Sequence, residues 1–272
     1  MALQAIQAVV FDWAGTMVDF GSLAPMGAFV EVFGRFGVEI TIEEARRPMG
    51  LPKLDHIRAL GAEPRIAEAW SRANGTPFDE AAARAIYEVF VPLNAEVVAD
   101  YADLVPGAAR LVAALRRDGV RIGSTTGYTR DIMERLLPKA AEQGYAPDNL
   151  VCAGDLAAGR PTPLMMYKCF VDLGVWQPER VVKVDDTEPG LAEGLAAGTW
   201  TVGVSLSGNA VGLSPAELAA AEPAEVARLD GAARERLFAA GAHAVVDSVA
   251  DLLPLLGRLD VLIRGGARPH RL

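Results

Sequence analysis

Four stretches of this 272-residue sequence end in side chains able to act on an anion. They are Asp12 followed by Gly15-Thr16, the run Ser124-Thr125-Thr126-Gly127, Asp155 with Arg160-Pro161, and the pair Asp185-Asp186. Each alone reads most simply as a helix cap, because Asp, Ser and Thr are favoured where a helix begins. Taken together they supply carboxylates, a hydroxyl and a guanidinium. Two carboxylates that converge repel unless a cation lies between them, and hard oxygen donors with open positions suit Mg2+. A hydroxyl and backbone N–H at a helix start, as at Thr126-Gly127, suit a phosphoryl group with a basic side chain opposite. A further basic group, Lys53, stands where the loop Pro48-Met49-Gly50-Leu51-Pro52 enters a helix. A lone lysine of that kind ordinarily reads as a solvated surface cation.

The elements that must hold these groups alternate. Ala8 to Phe11 is apolar without alternation, as expected of a strand buried on both faces of a parallel sheet. Similar runs recur at Val120–Ser124, Leu150–Ala153, Val181–Val184, Trp200–Val204 and Ala244–Val246. Between them the apolar residues fall at helical spacing, as at Leu111, Val112 and Leu115, at Ile132, Leu136 and Leu137, and at Leu191, Leu195 and Ala196. This pattern predicts an α/β fold, a doubly wound parallel sheet with helices on both faces. In such sheets the ligand site lies outside the carboxyl ends of the strands, which is where the four stretches fall.

The alternation breaks between Phe20 and Asp100. Leu23, Met26, Val30 and Phe33 keep helical spacing, as do Ala82, Ile86, Val89 and Phe90, with prolines at 48, 52, 64 and 77 between helices. An insert of about 80 residues is too long for an ordinary loop. It predicts an all-helical cap domain over residues 21–99 on a core formed by residues 1–20 and 100–272, with hinges near Phe20–Ser22 and Asp100–Pro106. Ser214 to Ala240 reads as two helices, and Arg264 to Leu272 as a frayed tail.

The constellation resembles the haloacid dehalogenase superfamily of phosphotransferases over nearly the whole chain. Its motifs are Asp-x-Asp-x-Thr, a strand-ending Ser or Thr, a Lys or Arg, and an acidic pair. Here they fall on Asp12-Trp13-Ala14-Gly15-Thr16, Thr126, Arg160 and Asp185-Asp186. Position 14 departs from the pattern. The second aspartate protonates the leaving oxygen in the superfamily's phosphatases, and general acid catalysis of that kind is worth roughly 10²–10⁴-fold. Alanine cannot supply it. Five segments narrow the resemblance to the phosphonoacetaldehyde hydrolase family, the phosphonatases. They are the first motif, Met49-Gly50 to His56, Ser124 to Thr129, Gly159-Arg160-Pro161, and Lys183-Val184-Asp185-Asp186-Thr187.

That resemblance implies a Rossmann-like core with a helical cap, and cleavage of the carbon–phosphorus bond of phosphonoacetaldehyde to acetaldehyde and phosphate in 2-aminoethylphosphonate degradation. It implies Lys53 as the Schiff-base lysine and Asp12 as the nucleophile that becomes an aspartyl-phosphate. Mg2+ would be held by Asp12, Asp186 and the backbone carbonyl of Ala14, and the phosphonate by Thr126, Gly127 and Arg160. Met49, His56 and Tyr128 match the family and either line the lysine's pocket or order water; for Tyr128 simple packing is an equal alternative. Asp185 is read as support for Asp186, although the two could exchange roles. An iminium accepts the electrons of the broken bond as an enamine, so no leaving oxygen needs protonation. The missing acid at position 14 and the extra lysine then account for each other. The family also implies a homodimer through the cap, for which the apolar run Met26-Gly27-Ala28-Phe29-Val30 offers a face.

Composition narrows the rivals. With 26 Lys+Arg against 35 Asp+Glu the formal charge is −9, which disfavours nucleic acid or an anionic membrane as partner. A chain 51% hydrophobic and 22% charged can bury a large core. Cys152 and Cys169 are too few and too far apart for a disulfide framework or a CxxC site. The start of the sequence lacks a basic region, and no apolar stretch approaches the ~20 residues that span a bilayer. A soluble cytoplasmic protein is expected, with His243 and His270 structural. Against a small-molecule phosphonate as substrate stand an ordinary phosphatase or phosphomutase, and a non-catalytic scaffold that lost its acid at position 14. The acidic pair disfavours metal-free dehalogenation.

Overall fold

The first strand, β1 (Ala8–Phe11), reads AVVF and is buried at all of its positions, so it needs neighbours on both edges and cover on both faces. The computed structural model, which describes residues 2–269, supplies them. With β2 (Arg121–Ser124), β3 (Val181–Asp185), β4 (Trp200–Val204) and β5 (Ala244–Val246) it forms a five-stranded sheet in the order β2-β1-β3-β4-β5. All pairings are parallel. Phe11 is level with Ser124 and with Val184. The residues that follow, Asp12, Thr125 and Asp185, therefore leave the sheet side by side at its carboxyl edge.

Strand side chains alternate between faces. Val9 and Phe11 join a cluster with Leu111, Ile132 and Leu255, whereas Ala8 and Val10 meet Met165, Met166 and Cys169. Two layers of helices thus sandwich the sheet.

The helices number in chain order. Those after β1 are α1 (Ala24–Arg35), α2 (Ile42–Arg46), α3 (Lys53–Ala62), α4 (Pro64–Asn74) and α5 (Glu80–Val97). The core adds α6 (Ala108–Arg117), α7 (Arg130–Glu142), α8 (Leu164–Leu173), α9 (Glu188–Ala196), α10 (Pro215–Ala220), α11 (Pro223–Ala239) and α12 (Leu252–Arg264). Ser214 to Ala240 forms the two helices expected, the first opened by a capping box between Ser214 and Glu217. At the far edge, Asp260 of α12 accepts the N–H groups of Gln4, Ala5 and Ile6 at 2.9, 2.6 and 3.1 Å, tying the chain start to this helix. His243 Nδ1 accepts the Thr201 N–H at 3.0 Å, a structural role, while His270 and the last two residues of the expected tail lie outside the described residues. Among the described residues no helix is long and apolar enough to cross a membrane.

Two expectations need correction. Leu150–Ala153 is not a sixth strand, since only an isolated bridge joins Thr125 to Val151. Just before it, the Asp148 carboxylate accepts the Ile122 N–H at 2.8 Å and the Asn149 amide oxygen takes that of Ser124 at 3.4 Å. Side chains thus occupy donors that a ladder would use. The Met26–Val30 run is not an open apolar face either: Met26, Ala28 and Phe29 lie inside the cluster formed by α1 to α5. A helix buries one stripe, and here that stripe meets Ile57, Leu60, Ile86 and Phe90 of its own insert.

This second cluster is separate from those of the sheet. The chain enters it through Asp19–Ser22, where Asp19, Gly21 and Ser22 all have φ between 51° and 89°. It returns along α5, whose Phe90 belongs to the insert and Ala95 to the sheet cluster. The hand-over thus falls inside a helix, before the Asp100–Pro106 stretch.

Candidate active site

Asp12 ends β1 because the chain turns sharply after it. The Trp13 carbonyl accepts the N–H groups of Thr16, Met17 and Val18 at 3.2, 2.8 and 3.0 Å. The Trp13 ring is fully buried, 4.8 Å from that of Tyr145, and its indole N–H donates to Ser124 Oγ. At Gly15, with φ +84°, a Cβ would collide with the Asp186 carboxylate, so glycine is required for the first loop to approach the acidic pair. Asp186 accepts from Thr16 Oγ1 at 3.1 Å and from the Asn209 N–H at 2.7 Å. Carboxylate oxygens of Asp12, Asp185 and Asp186 lie within 4.8 Å of one another, all buried.

Beneath them runs a buried ionic network. Arg160 Nη2 lies 2.8 Å from Asp12 Oδ1 and 3.3 Å from Asp185 Oδ2, and its Nε is 3.3 Å from Glu193 Oε2. Lys183 Nζ is 3.0 Å from Asp185 Oδ2, 3.5 Å from Glu193 Oε2 and 2.7 Å from Thr125 Oγ1. Thr187 donates both its N–H and its hydroxyl to Asp185 Oδ1 at 3.0 and 2.7 Å. Burial opposes ionisation of Asp185, but Arg160 and Lys183 hold its pKa below the ordinary value. The other two carboxylates go the opposite way. Burial and the Asp185 charge push Asp12 up to about 6, partly offset by Arg160, and burial with Asp12 and Asp185 drives Asp186 well above the usual range.

Asp185 is thus committed to protein cations and to Thr187, while Asp12 and Asp186 share too little positive charge. An oxygen-rich, electron-rich pair of this kind fits a hard divalent cation, which would restore both to the ionised form.

The cap closes over this edge with its loop at residues 49–53. Gly50 has φ +92°, and a Cβ there would collide with Thr187 Oγ1; a Cβ on Gly127 would stand 3.2 Å from the Leu51 carbonyl. The loop and the core therefore touch backbone to side chain. Gly50→Ala is expected to lower kcat/KM about tenfold or more by keeping the loop from seating, since a Cβ is strained at positive φ and meets Thr187. Steady-state kinetics beside a melting curve that moves little would show it.

Between loop and core lies a cavity of about 20 Å³ lined by Asp12, Ala14, Lys53, Thr126, Arg160 and Thr187, among others. Met49, Gly127 and Tyr128 also line it, as does Ser22, whose buried Oγ has no hydrogen-bond partner among the described residues. Lys53 is 4% exposed, far from the solvated cation a lone lysine suggests. Its Nζ lies 3.8 Å from Met49 Sδ, 5.1 Å from the Tyr128 ring centre and 5.5 Å from that of Phe29. Burial pushes its pKa down to about 8, helped by Arg160 and opposed by Asp12, Asp19 and Asp186.

The structure thus brings Asp12, Ala14, Met49, Lys53, Thr126, Gly127, Tyr128 and Arg160 to one cavity, with carboxylate oxygens of Asp185 and Asp186 within 4.8 Å of that of Asp12. His56 does not line it. Its Nε2 donates to the Ala45 carbonyl at 2.8 Å, and its ring stacks on Phe29 at 4.0 Å inside the cap. Burial, then the Lys53 charge, lower its pKa far enough to keep it neutral. Asp155 is also elsewhere, accepting the Cys152 N–H at 2.9 Å and paired with Arg130. Sequence reasoning missed roles for Lys183, Glu193 and Thr125. A lysine inside the otherwise apolar run Val181-Val182-Lys183-Val184 was the available signal, because a strand buried on both faces hides no charge without a partner.

A doubly wound sheet whose first strand ends on a buried aspartate beneath a helical cap is the layout of a haloacid dehalogenase-like hydrolase, and the family model of that description matches residues 6–198. Relatives narrow the class. The phosphonoacetaldehyde hydrolase of Paraburkholderia xenovorans (strain LB400) is 54% identical over 98% of this chain and 100% of its own length. That of Aeromonas hydrophila is 45% identical over 97% of this chain and 95% of its own. The crystal structure of a phosphonoacetaldehyde hydrolase-like protein from Oleispira antarctica superposes with TM-score 0.96 at 42% identity, covering 99% of this chain and 98% of that one. The chain belongs to the phosphonoacetaldehyde hydrolase family.

Proposed function

We propose that this protein hydrolyses phosphonoacetaldehyde to acetaldehyde and phosphate, with Mg2+ as its metal ion. The observation that carries the reading is the buried Lys53 of the cap in the same cavity as Asp12 of the core, beside an alanine at position 14. Lys53 condenses with the aldehyde and releases water, giving an iminium. An Asp12 oxygen attacks phosphorus, and the carbon–phosphorus bonding pair moves into the iminium to form an enamine. Protonation at carbon and hydrolysis of the imine return Lys53 and release acetaldehyde. A second water cleaves the aspartyl-phosphate, so one water is consumed overall.

Thr126, Gly127 and Arg160 hold the phosphonate oxygens, and Asp185 keeps Arg160 and Lys183 in place. Met49 and Tyr128 pack against the Lys53 amine and shield it from water, and it is this burial that favours its neutral form. Mg2+ on Asp12, Asp186 and the Ala14 carbonyl would neutralise charge on the transferring group's oxygens. A reducing cytoplasm suits the buried free thiols Cys152 and Cys169.

The test is stoichiometric. With phosphonoacetaldehyde and Mg2+, acetaldehyde and phosphate should appear one to one, and borohydride should fix substrate carbon on Lys53. Sugar phosphates turned over in preference would reject the reading.

Two further outcomes follow. Since Lys53 attacks as the free amine and its pKa is held near 8, the trapping rate should climb with pH up to about 8 and level off above. A rise that continues towards about 10.5, the ordinary lysine value, would mean the cavity does not tune it. Ala14→Asp should bring no gain in turnover, because an enamine leaves without protonation at oxygen. A large gain on phosphonoacetaldehyde would overturn that account of the leaving group.

A further inference from the structure

Arg46, on α2 of the cap, reaches out of its own cluster. Its Nη1 donates to the carbonyls of Gly21 at 2.9 Å, Ser22 at 3.4 Å and Asn209 at 3.3 Å, and to Asn209 Oδ1 at 3.1 Å. Its Nη2 donates to the Gly212 carbonyl at 3.0 Å, and Asn209 Nδ2 donates back to the Arg46 carbonyl at 3.3 Å. These partners belong to two different places. Gly21 and Ser22 are where the chain enters the cap, while Asn209 and Gly212 sit in the core loop after β4. The loop is shaped to receive the guanidinium: Gly212 has φ +67°, and a Cβ there would stand 2.6 Å from the guanidinium carbon. A planar fork with several donors suits such a ring of oxygens, and a single ammonium does not.

The same Asn209 donates its backbone N–H to Asp186 Oδ2 at 2.7 Å. One core residue therefore touches the cap with its side chain and the acidic pair with its main chain. Opening the cap would withdraw Arg46 from this loop, and Asn209 would then lose the hold on its side chain and carbonyl, while Ser207 and Gly212 keep their bonds to Asp247 and Gly208.

We propose that Arg46 is a positioning residue that latches the closed cap, and that Asn209 passes closure on to the Asp186 carboxylate. The site is then complete only when Lys53 has arrived over Asp12. The inference rests on the reading that these two residues act on one substrate, and it adds two residues that do not line the cavity.

Arg46→Lys, Arg46→Ala and Asn209→Ala test it through two readouts. The first is amide hydrogen exchange on the protein without substrate. Arg46→Ala should speed exchange over residues 207–212 about tenfold or more while the sheet amides stay protected. The second is kinetic. Arg46→Ala should cost about 10–100-fold in kcat/KM, with KM rising, because a cap that seldom closes misplaces Lys53; Arg46→Lys should fall between it and the wild type. Asn209→Ala should cost several-fold in the wild type and less than about twofold in the Arg46→Ala background, as coupled partners do. A merely structural arginine would lower the melting temperature and the active fraction, leave KM alone and give independent effects in the double variant.

Unchanged exchange in Arg46→Lys and Asn209→Ala together with unchanged KM would overturn the latch, and so would multiplicative losses. Should Arg46→Ala fail to fold, Arg46→Lys and its double variant with Asn209→Ala complete the same cycle. If the wild type does not turn over phosphonoacetaldehyde, the functional reading fails, and the exchange comparison alone decides the latch.

Discussion

Lys53→Arg should abolish turnover of phosphonoacetaldehyde while leaving the fold intact, a loss beyond roughly 10⁴-fold in kcat. The size follows from protonation. With its pKa near 8, about a tenth of Lys53 is the free amine at pH 7, roughly 300 times the fraction of an ordinary lysine. A guanidinium stays protonated at any pH the enzyme meets and offers essentially no neutral nitrogen. Arginine keeps a positive charge near Asp12, so electrostatic attraction for the phosphonate survives and only imine formation is lost. Mass spectrometry after borohydride treatment should find substrate carbon on wild-type Lys53 and on no residue of the variant. Label on another lysine, or turnover within tenfold of wild type, would remove Lys53 from the mechanism.

Asp12→Asn should be as damaging by a different route. Removing a nucleophile that acts in concert with its neighbours commonly costs on the order of 10⁴-fold or more. An amide oxygen is a poor nucleophile towards phosphorus, so phosphate release should stop. The imine at Lys53 should still form, because Asp12 only opposes the lowering of the lysine's pKa; with that charge gone the amine becomes, if anything, easier to deprotonate. The two variants therefore separate the half-reactions: Lys53→Arg blocks trapping and phosphate release, whereas Asp12→Asn blocks phosphate release alone. Loss of trapping in a folded Asp12→Asn protein would mean that the carboxylate also shapes the lysine's site.

Where sequence and structure agree, local order carried the information. The run Ala8–Phe11 could only be a central strand, and the residues following Phe11, Ser124 and Val184 emerge level because parallel register places them so. Less legible were features decided by partners far along the chain. Leu150–Ala153 has the composition of a strand, yet Asp148 and Asn149 spend their side chains on the edge of β2. His56 shares the helix of Lys53, but the Ala45 carbonyl and the Phe29 ring turn it inward. Asp155 looked like a strand-end carboxylate until Arg130 claimed it. Lys183 and Glu193 meet only through the packing of α9 on β3, which no local pattern encodes.

The placement of β1 carries a cost in time. Ala8 pairs with Arg121 and with Val181, residues made roughly 110 and 170 positions later. At about 5–20 residues per second of synthesis, this apolar segment waits on the order of 5–20 seconds for its first neighbour. The inserted helices fill that interval. Their apolar side chains close on one another without any strand, so they can gather while the earliest segment is still unpaired. Until Arg121 emerges, the unpaired apolar segment is open to misassociation.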